Sequence, residues 1–181
     1  STTKIGINFA AQKSTIEEMP QVVKFAQKLG LDLISFTLLI AHKKEFIPEC
    51  VFDIDNARIK KIFSETTVLA KRFKIPIRLP TYEVKGEGFC PHLWREMIIF
   101  GNGDVSPCPH FRQPKKYYFT IKNRKIIQKE ITFPSLIVGN VYKDPILGIW
   151  NNRKYPNLRR NFKKGSLVSP CRFCYFRFGL H

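Results

Sequence analysis

Four cysteines in two widely separated pairs are the feature that most restricts the fold of this 181-residue chain. Cys90 and Cys108 flank a Gly-Asn-Gly-Asp turn, and Cys171 and Cys174 form a Cys-x-x-Cys segment near the end of the sequence. A Cys-x-x-Cys turn places two sulfur atoms on one side of a short loop, and a hairpin brings its two ends together. The two pairs therefore predict one four-thiolate site that ties residues 90–174 into a small metal-stabilised domain.

The spacing leaves the metal open, because four thiolates suit a zinc ion and an iron–sulfur cluster equally well. No secretory signal is visible in the sequence, so we expect a cytoplasmic protein whose cysteines bind metal rather than form disulfides. His92 and His110 each follow a cysteine by two residues. Since four thiolates complete either site, we expect these histidines beside the ligands or at the surface. Cys50 has no cysteine neighbour and is interpreted as an ordinary, partly buried thiol.

The first 85 residues carry the alternating pattern of a parallel α/β structure. Strands are expected at 4–10, 32–41 and 75–79, and helices at 16–29 and 59–73. Gly30 is the expected end of the first helix, and capping boxes at Ser14 and Thr15 are expected at its start. The second strand is almost wholly apolar, which predicts burial on both faces. Two β/α units cannot close a barrel, so this half is interpreted as part of a larger domain.

The pattern changes near residue 85, so we place a domain boundary between residues 1–85 and 86–181. Beyond it, strands at 94–100 and 105–108 are expected to flank the Gly-Asn-Gly-Asp turn. A second hairpin is expected to turn at Asn123, and a helical segment over 144–162 is expected to break at Gly148 and Pro156. The fold class expected for the whole chain is α/β to α+β.

From Cys90 onward the sequence resembles the SPASM/twitch-type C-terminal extension of radical S-adenosylmethionine (radical SAM) enzymes. The matching features, in chain order, are Cys90-x12-Gly103-x4-Cys108, Gly139-Asn140-Val141, Ile-Leu-Gly-Ile-Trp-Asn at 146–151, Tyr155, Leu158-Arg159 and Pro170-Cys171-x2-Cys174. Residues 4–80 are similar to the last β/α units of the radical SAM barrel. The resemblance thus implies a partial (β/α) barrel end followed by a small β-hairpin-rich metal domain.

The resemblance also implies a function for the cysteines. Cys90, Cys108, Cys171 and Cys174 would bind one auxiliary [4Fe–4S] cluster that positions substrate, transfers electrons or stabilises the domain. Leu180 stands at the next cysteine position of the full pattern, so no second auxiliary cluster is expected. The sequence contains no CxxxCxxC motif, so we expect no catalytic residue here and no cleavage of S-adenosylmethionine by this chain alone. That cofactor and the N-terminal barrel half would belong to the intact parent enzyme.

Positive charge is concentrated in the second half of the chain. Residues 101–181 contain 16 basic and three acidic side chains, and so carry 13 of the 17 net positive charges. Such a surface suits an anionic or peptide substrate, and it leaves an alternative, a non-enzymatic four-cysteine zinc module with a basic face for nucleic acid. Basic and aromatic residues interleave at Lys115, Lys116, Tyr117, Tyr118, Phe119, Lys122, Arg124, Lys125 and Lys129. A hairpin with alternating faces explains the same pattern, so nucleic acid is not the favoured partner, and no apolar run is long enough to cross a membrane.

Overall fold

The computed structural model describes residues 3–84, 90–122, 125–167, 169–172, 174 and 177. The chain divides into two compact units, residues 1–83 and residues 84–179. The domain boundary expected after residue 85 falls beside residues 85–89, which lie outside the described residues. Helices and small β-sheets occur in both units, which confirms the mixed α/β class. Within the described residues, every helix is too short or too polar to cross a lipid bilayer.

The first unit is a parallel three-stranded sheet with two helices between its strands, as predicted. Its elements are β1 (Gly6–Ala11), α1 (Met19–Leu29), β2 (Leu33–Leu38), α2 (Asn56–Phe73) and β3 (Ile77–Arg78). The strands lie in the order β1-β2-β3. Gly6 pairs with Leu33 at one end of the first ladder, and Ser35 pairs with Arg78 in the second. Sequential parallel order requires a crossover helix between each pair of strands, and α1 and α2 supply them.

The start of α1 differs from the predicted capping boxes. A short 3₁₀ turn at Ile16–Glu18 precedes the helix, and neither helix start has a side-chain cap. The Thr15 hydroxyl instead accepts a hydrogen bond from the Gln12 backbone N–H at 3.2 Å. Pro20 lies in the first turn, where a missing N–H is tolerated. The helix ends at Gly30, as predicted, with a left-handed φ of 66°.

Only one face of this sheet is buried, so the expectation of burial on both faces is wrong. Ile34 and Phe36 of β2 are almost fully buried in a core that includes Val23 of α1 and Ile59 of α2. The residues that alternate with them along the strand are less buried, and Ser35 is only half-buried. Side chains alternate across a strand, so the polar residues lie on the face that the helices do not cover.

In its described residues, the second unit contains two small antiparallel sheets and four short helices. Its strands are β4 (Ile98–Ile99), β5 (Asp104–Ser106), β6 (Lys115–Lys122), β7 (Lys125–Phe133) and β8 (Gly139–Asn140). One sheet has the order β4-β5-β8, and β6 and β7 form the predicted second hairpin, whose turn at Asn123 lies outside the described residues. The helices are α3 (His92–Arg95), α4 (Ile146–Asn151), α5 (Lys154–Lys163) and α6 (Ser169–Arg172).

Two predicted elements of this unit need correction. The strand expected over 94–100 is wrong for most of its length, because Pro91 starts helix α3 and only Ile98–Ile99 pair as a strand. The helical segment over 144–162 does not break at Gly148 or Pro156. Gly148 lies inside α4, and Pro156 lies in the first turn of α5, where proline is tolerated. The interruption falls at Asn152, whose side-chain oxygen accepts a hydrogen bond from the Lys154 N–H at 2.9 Å.

The Gly-Asn-Gly-Asp turn between β4 and β5 is confirmed, and Gly103 makes it possible. Gly103 has a φ of 81°, a left-handed conformation that favours glycine. A Cβ at this position would also lie 2.5 Å from the ring of Tyr142. Near the turn, Val105, Val138, Ile149 and Tyr155 form one buried apolar cluster of the second unit. Strand β5, which follows the turn, contributes Val105 to this cluster.

Candidate metal centre

Four cysteines from the two distant pairs line a single pocket of the second unit. Cys90, Cys108, Cys171 and Cys174 all contribute to its wall. Cys108 and Cys174 are 8% and 9% exposed, and the other two are half-buried. The rest of the wall is mostly apolar and consists of Leu93, Phe111, Phe133 and Phe162, with His92 and Arg177 as its polar members. Four soft thiol donors in an apolar setting are the donor set that zinc and iron–sulfur clusters prefer.

The first two cysteines are held by two similar Cys-Pro-His segments. In each segment the proline begins a short helical turn, α3 after Cys90 and a 3₁₀ turn at Pro109–Phe111 after Cys108. The turn directs backbone N–H groups back at sulfur, from His92 and Leu93 to Cys90 and from His110 to Cys108. N–H groups at this position stabilise thiolate charge. The repeated triplet was the sequence signal for this device, but its role was not predicted.

Burial raises the pKa of the Cys90, Cys108 and Cys171 thiols. The pKa of Cys171 rises to about 12, chiefly through burial and next through the charge of Cys174. Burial also raises the pKa of Cys90 and of Cys108, and the charges of the other three cysteines contribute to the shift at Cys108. The sulfur atoms are therefore close enough to influence one another. Without metal these thiols stay protonated, so metal binding must release protons.

Ser106 is a buried positioning residue that the sequence did not reveal. It is 0% exposed, and its hydroxyl donates to the Cys108 carbonyl at 2.9 Å. The same oxygen accepts from the Cys108 N–H at 3.5 Å. Both backbone groups of one cysteine are thus fixed by a single side chain at the end of β5.

Replacing Ser106 by alanine should loosen Cys108. The Cys108 carbonyl and N–H would lose a buried hydrogen-bond partner, at a cost of about 1–3 kcal/mol in the free energy of unfolding. We expect a lower denaturation midpoint and faster loss of metal to a chelator. The exposed Ser166 provides a matched control, and S166A should change neither quantity. Equal behaviour of the two variants would contradict a positioning role for Ser106.

The two histidines occupy different surroundings. His92 is in the pocket wall, and its Nδ1 lies 2.6 Å from a carboxylate oxygen of Glu96. His110 bonds through Nδ1 to the hydroxyl of Tyr117 at 2.5 Å. Burial lowers the pKa of His110 to about 4 and raises the pKa of Tyr117 to about 12. Both histidines therefore lie beside the cysteines, one of the two positions expected from the sequence, and each has a polar partner.

Arg159 holds helix α5 against the segment that follows Cys90. Its Nε donates to the Leu93 carbonyl at 2.7 Å, and its guanidinium lies 4.1 Å from the centre of the Trp150 ring. Cation–π stacking of this kind contributes about 0.5–2 kcal/mol. The Leu158-Arg159 pair was noted in the sequence as a motif position, and the geometry gives it a structural role in fixing α3.

The remaining candidates are not among the residues that line the pocket. Cys50 belongs to the first unit, is 2% exposed, and so is more buried than expected. In the basic hairpin, Tyr117 and Tyr118 are 7% and 9% exposed, which leaves little of either ring for stacking on bases. Arg124 lies outside the described residues.

Among the residues that the structure describes, no three His, Cys, Asp or Glu side chains are arranged to share a single metal ion.

One comparison with known proteins covers the four cysteines, and a second covers almost the whole chain. Residues 90–175 match the sequence profile of SPASM, described as an iron–sulfur cluster-binding domain. A curated relative, the tungsten-containing aldehyde ferredoxin oxidoreductase cofactor-modifying protein of Pyrococcus furiosus, is 24% identical over 174 residues. The match covers 96% of this chain and 46% of the relative, so the chain spans about half the length of the relative.

Proposed function

We infer that this chain is the SPASM-containing C-terminal portion of a radical SAM enzyme. The match of residues 90–175 to the SPASM iron–sulfur cluster-binding domain confirms the family resemblance. We propose that it holds one auxiliary [4Fe–4S] cluster on Cys90, Cys108, Cys171 and Cys174. The observation that carries the proposal is the common pocket formed by these four cysteines. Thiolate is the usual ligand of iron–sulfur clusters, and the Nδ1 of His92, which also lines the pocket, contacts a carboxylate oxygen of Glu96.

The surroundings of the cysteines fit such a group. When bound, a [4Fe–4S] cluster supplies a centre for one-electron transfer. The chain contributes four thiols that release their protons on binding, and backbone N–H groups of His92, Leu93 and His110 that offset the resulting charge. Phe111 and Phe133 add apolar surface to the same pocket. An apolar, hydrogen-bonded surrounding tunes the reduction potential of a bound cluster.

The positions of the ligands also suit a stabilising role. Between Cys108 and Cys171 the chain forms the β6–β7 hairpin and helices α4 and α5, a segment of more than 60 residues by the sequence numbering. A group bound by both cysteine pairs would close this long loop and favour the folded state. We therefore propose that the auxiliary cluster stabilises the second unit as well as accepting electrons.

Anaerobic reconstitution with iron and sulfide tests both roles on one sample. The loaded chain should melt at a higher temperature than the cluster-free chain, because the ligands bind only when the unit is folded. Its visible absorbance should bleach with dithionite and return on reoxidation. A loaded chain that melts at the unloaded temperature contradicts the stabilising role, and absorbance indifferent to reductant contradicts the redox role.

For the first unit we propose the end of a (β/α) barrel. Both helices pack on the same side of the sheet and against each other, and the strand order follows the chain order. Right-handed crossovers in sequential order place all helices on one face, as in a singly wound barrel, whereas a doubly wound sheet divides them between two faces. The uncovered face carries Asn8 and Arg78, both exposed, as a barrel interior with a polar ligand would require.

The parent enzyme would contain the remaining functional parts. We propose that an N-terminal barrel half provides the catalytic cluster and binds S-adenosylmethionine, and that it completes the sheet. The relative is named for modifying a cofactor, and an anionic cofactor or peptide is the substrate class that the basic second half of this chain suits. Stronger binding of the chain to a polyanion such as polyglutamate than to a polycation such as polylysine would support this charge preference. Equal binding to the two polymers would contradict it.

A further inference from the structure

Arg177 brings a permanent positive charge to the wall of the cysteine pocket. Among the described residues of that wall, it is the one whose charge does not depend on pH in the physiological range. The other basic member, His92, lies against the carboxylate of Glu96. The pocket therefore combines four potential thiolates, an apolar lining and a single fixed cation.

Contacts with Cys174, Arg172 and Phe162 help to hold Arg177 in this position. Its backbone N–H donates to the Cys174 carbonyl at 3.1 Å, which ties it to one ligand of the site. Its Nη1 donates to the Arg172 carbonyl at 3.4 Å, and its guanidinium lies 5.9 Å from the centre of the Phe162 ring. Its charge also works against the rise in the pKa of Cys171, so the guanidinium acts electrostatically on a sulfur of the pocket.

A fixed cation at this place has a defined effect on a redox group. Four thiolates leave a [4Fe–4S] cluster with net negative charge, and each added electron makes that charge larger. A nearby positive charge stabilises the reduced state more than the oxidised state, and an apolar surrounding strengthens the effect. Neutralising the cation removes that preference.

We propose that the positive charge of Arg177 stabilises the reduced state of the auxiliary cluster and so raises its reduction potential. This inference rests on the proposed [4Fe–4S] cluster. Arg177 acts on that cluster through its positive charge and takes no part in the chemistry of a substrate.

Redox titration of the reconstituted chain, followed by visible absorbance, measures this effect directly. In R177Q the ratio of reduced to oxidised cluster at a fixed potential should fall about tenfold, which for one electron corresponds to about 59 mV. R177K keeps the charge and should stay within about twofold of the wild type. R160Q removes an exposed arginine of α5 that is not in the pocket wall, and it should leave the ratio unchanged.

Iron and sulfide analysis of every variant separates this inference from the proposed function. A wild-type chain without iron and sulfide overturns both. A loaded R177Q variant with the wild-type potential overturns the role of Arg177 and leaves the cluster in place. If R177Q cannot retain the cluster but R177K can, the charge is needed to hold the cluster and not to set its potential, and the inference is overturned. If R177K also fails to retain it, charge is not the property that matters and the inference is overturned.

Discussion

Serine at position 171 is expected to remove the cluster from the second unit. Bound iron and acid-labile sulfide should fall from about four each per chain to below about one. Cys171 is half-buried in the pocket wall, and a hydroxyl of similar size preserves the fold while offering a poor ligand for iron. The melting temperature should fall by on the order of 10 °C, because the loop between the cysteine pairs is no longer closed.

Cys50 provides the matched control for this variant. Its thiol is buried in the first unit, 3.5 Å from the Leu39 carbonyl and 3.6 Å from the Phe46 carbonyl. C50A should therefore retain full iron and sulfide, with a loss of about 1 kcal/mol in the free energy of unfolding. Full iron content and an unchanged melting temperature in C171S would remove Cys171 from the ligand set. Loss of iron in C50A would contradict the assignment of the site to the second unit.

Alanine at position 155 is expected to unfold much of the second unit. Tyr155 is 0% exposed and is the largest fully buried side chain of the structure's described residues. Its ring packs 5.0 Å from the ring of Trp150, and the Arg159 guanidinium lies 5.0 Å from its centre. Truncating a buried aromatic side chain costs about 3–5 kcal/mol, which is a large part of the stability of a small domain. Urea unfolding of the cluster-free chain measures this loss.

Phenylalanine at the same position separates packing from hydrogen bonding. The Tyr155 hydroxyl donates to the Glu96 carbonyl at 3.4 Å, a long hydrogen bond, so Y155F should cost about 1 kcal/mol or less. The alanine variant should also bind little iron, because the pocket belongs to the unit that has unfolded. A cost below about 1 kcal/mol in Y155A would show that this core does not support the second unit as described.

The fold could be predicted from the sequence where the signal was local and periodic. Alternation in β1 and β2 and the helical spacing of α1 and α2 correspond to elements that the structure contains. The strand expected over 94–100 was wrong because its apolar residues fit a strand and a buried helical turn equally well. Pro91 decided the outcome, since the Trp94 and Arg95 N–H groups bond to its carbonyl at 3.0 Å. Burial on both faces of β2 was wrong because Ser35 and Thr37 alternate with its apolar residues.

The sequence predicted that the four cysteines lie together, but it did not predict the residues around them. Spacing and residue type were enough to select the four cysteines that line one pocket. Ser106 and Arg177 gave no signal, because a lone serine or arginine acquires its role only from the chain that packs around it. The N–H groups of the two Cys-Pro-His segments depend on backbone geometry, which the letters alone do not specify.

Metal and acid-labile sulfide analysis of the anaerobically purified and reconstituted chain tests the central proposal most directly. The proposed site predicts about four iron and four sulfide per chain, with broad brown absorbance in the visible spectrum. About one zinc and no sulfide, persisting after reconstitution with iron and sulfide, would contradict the cluster and assign the four cysteines to a zinc module.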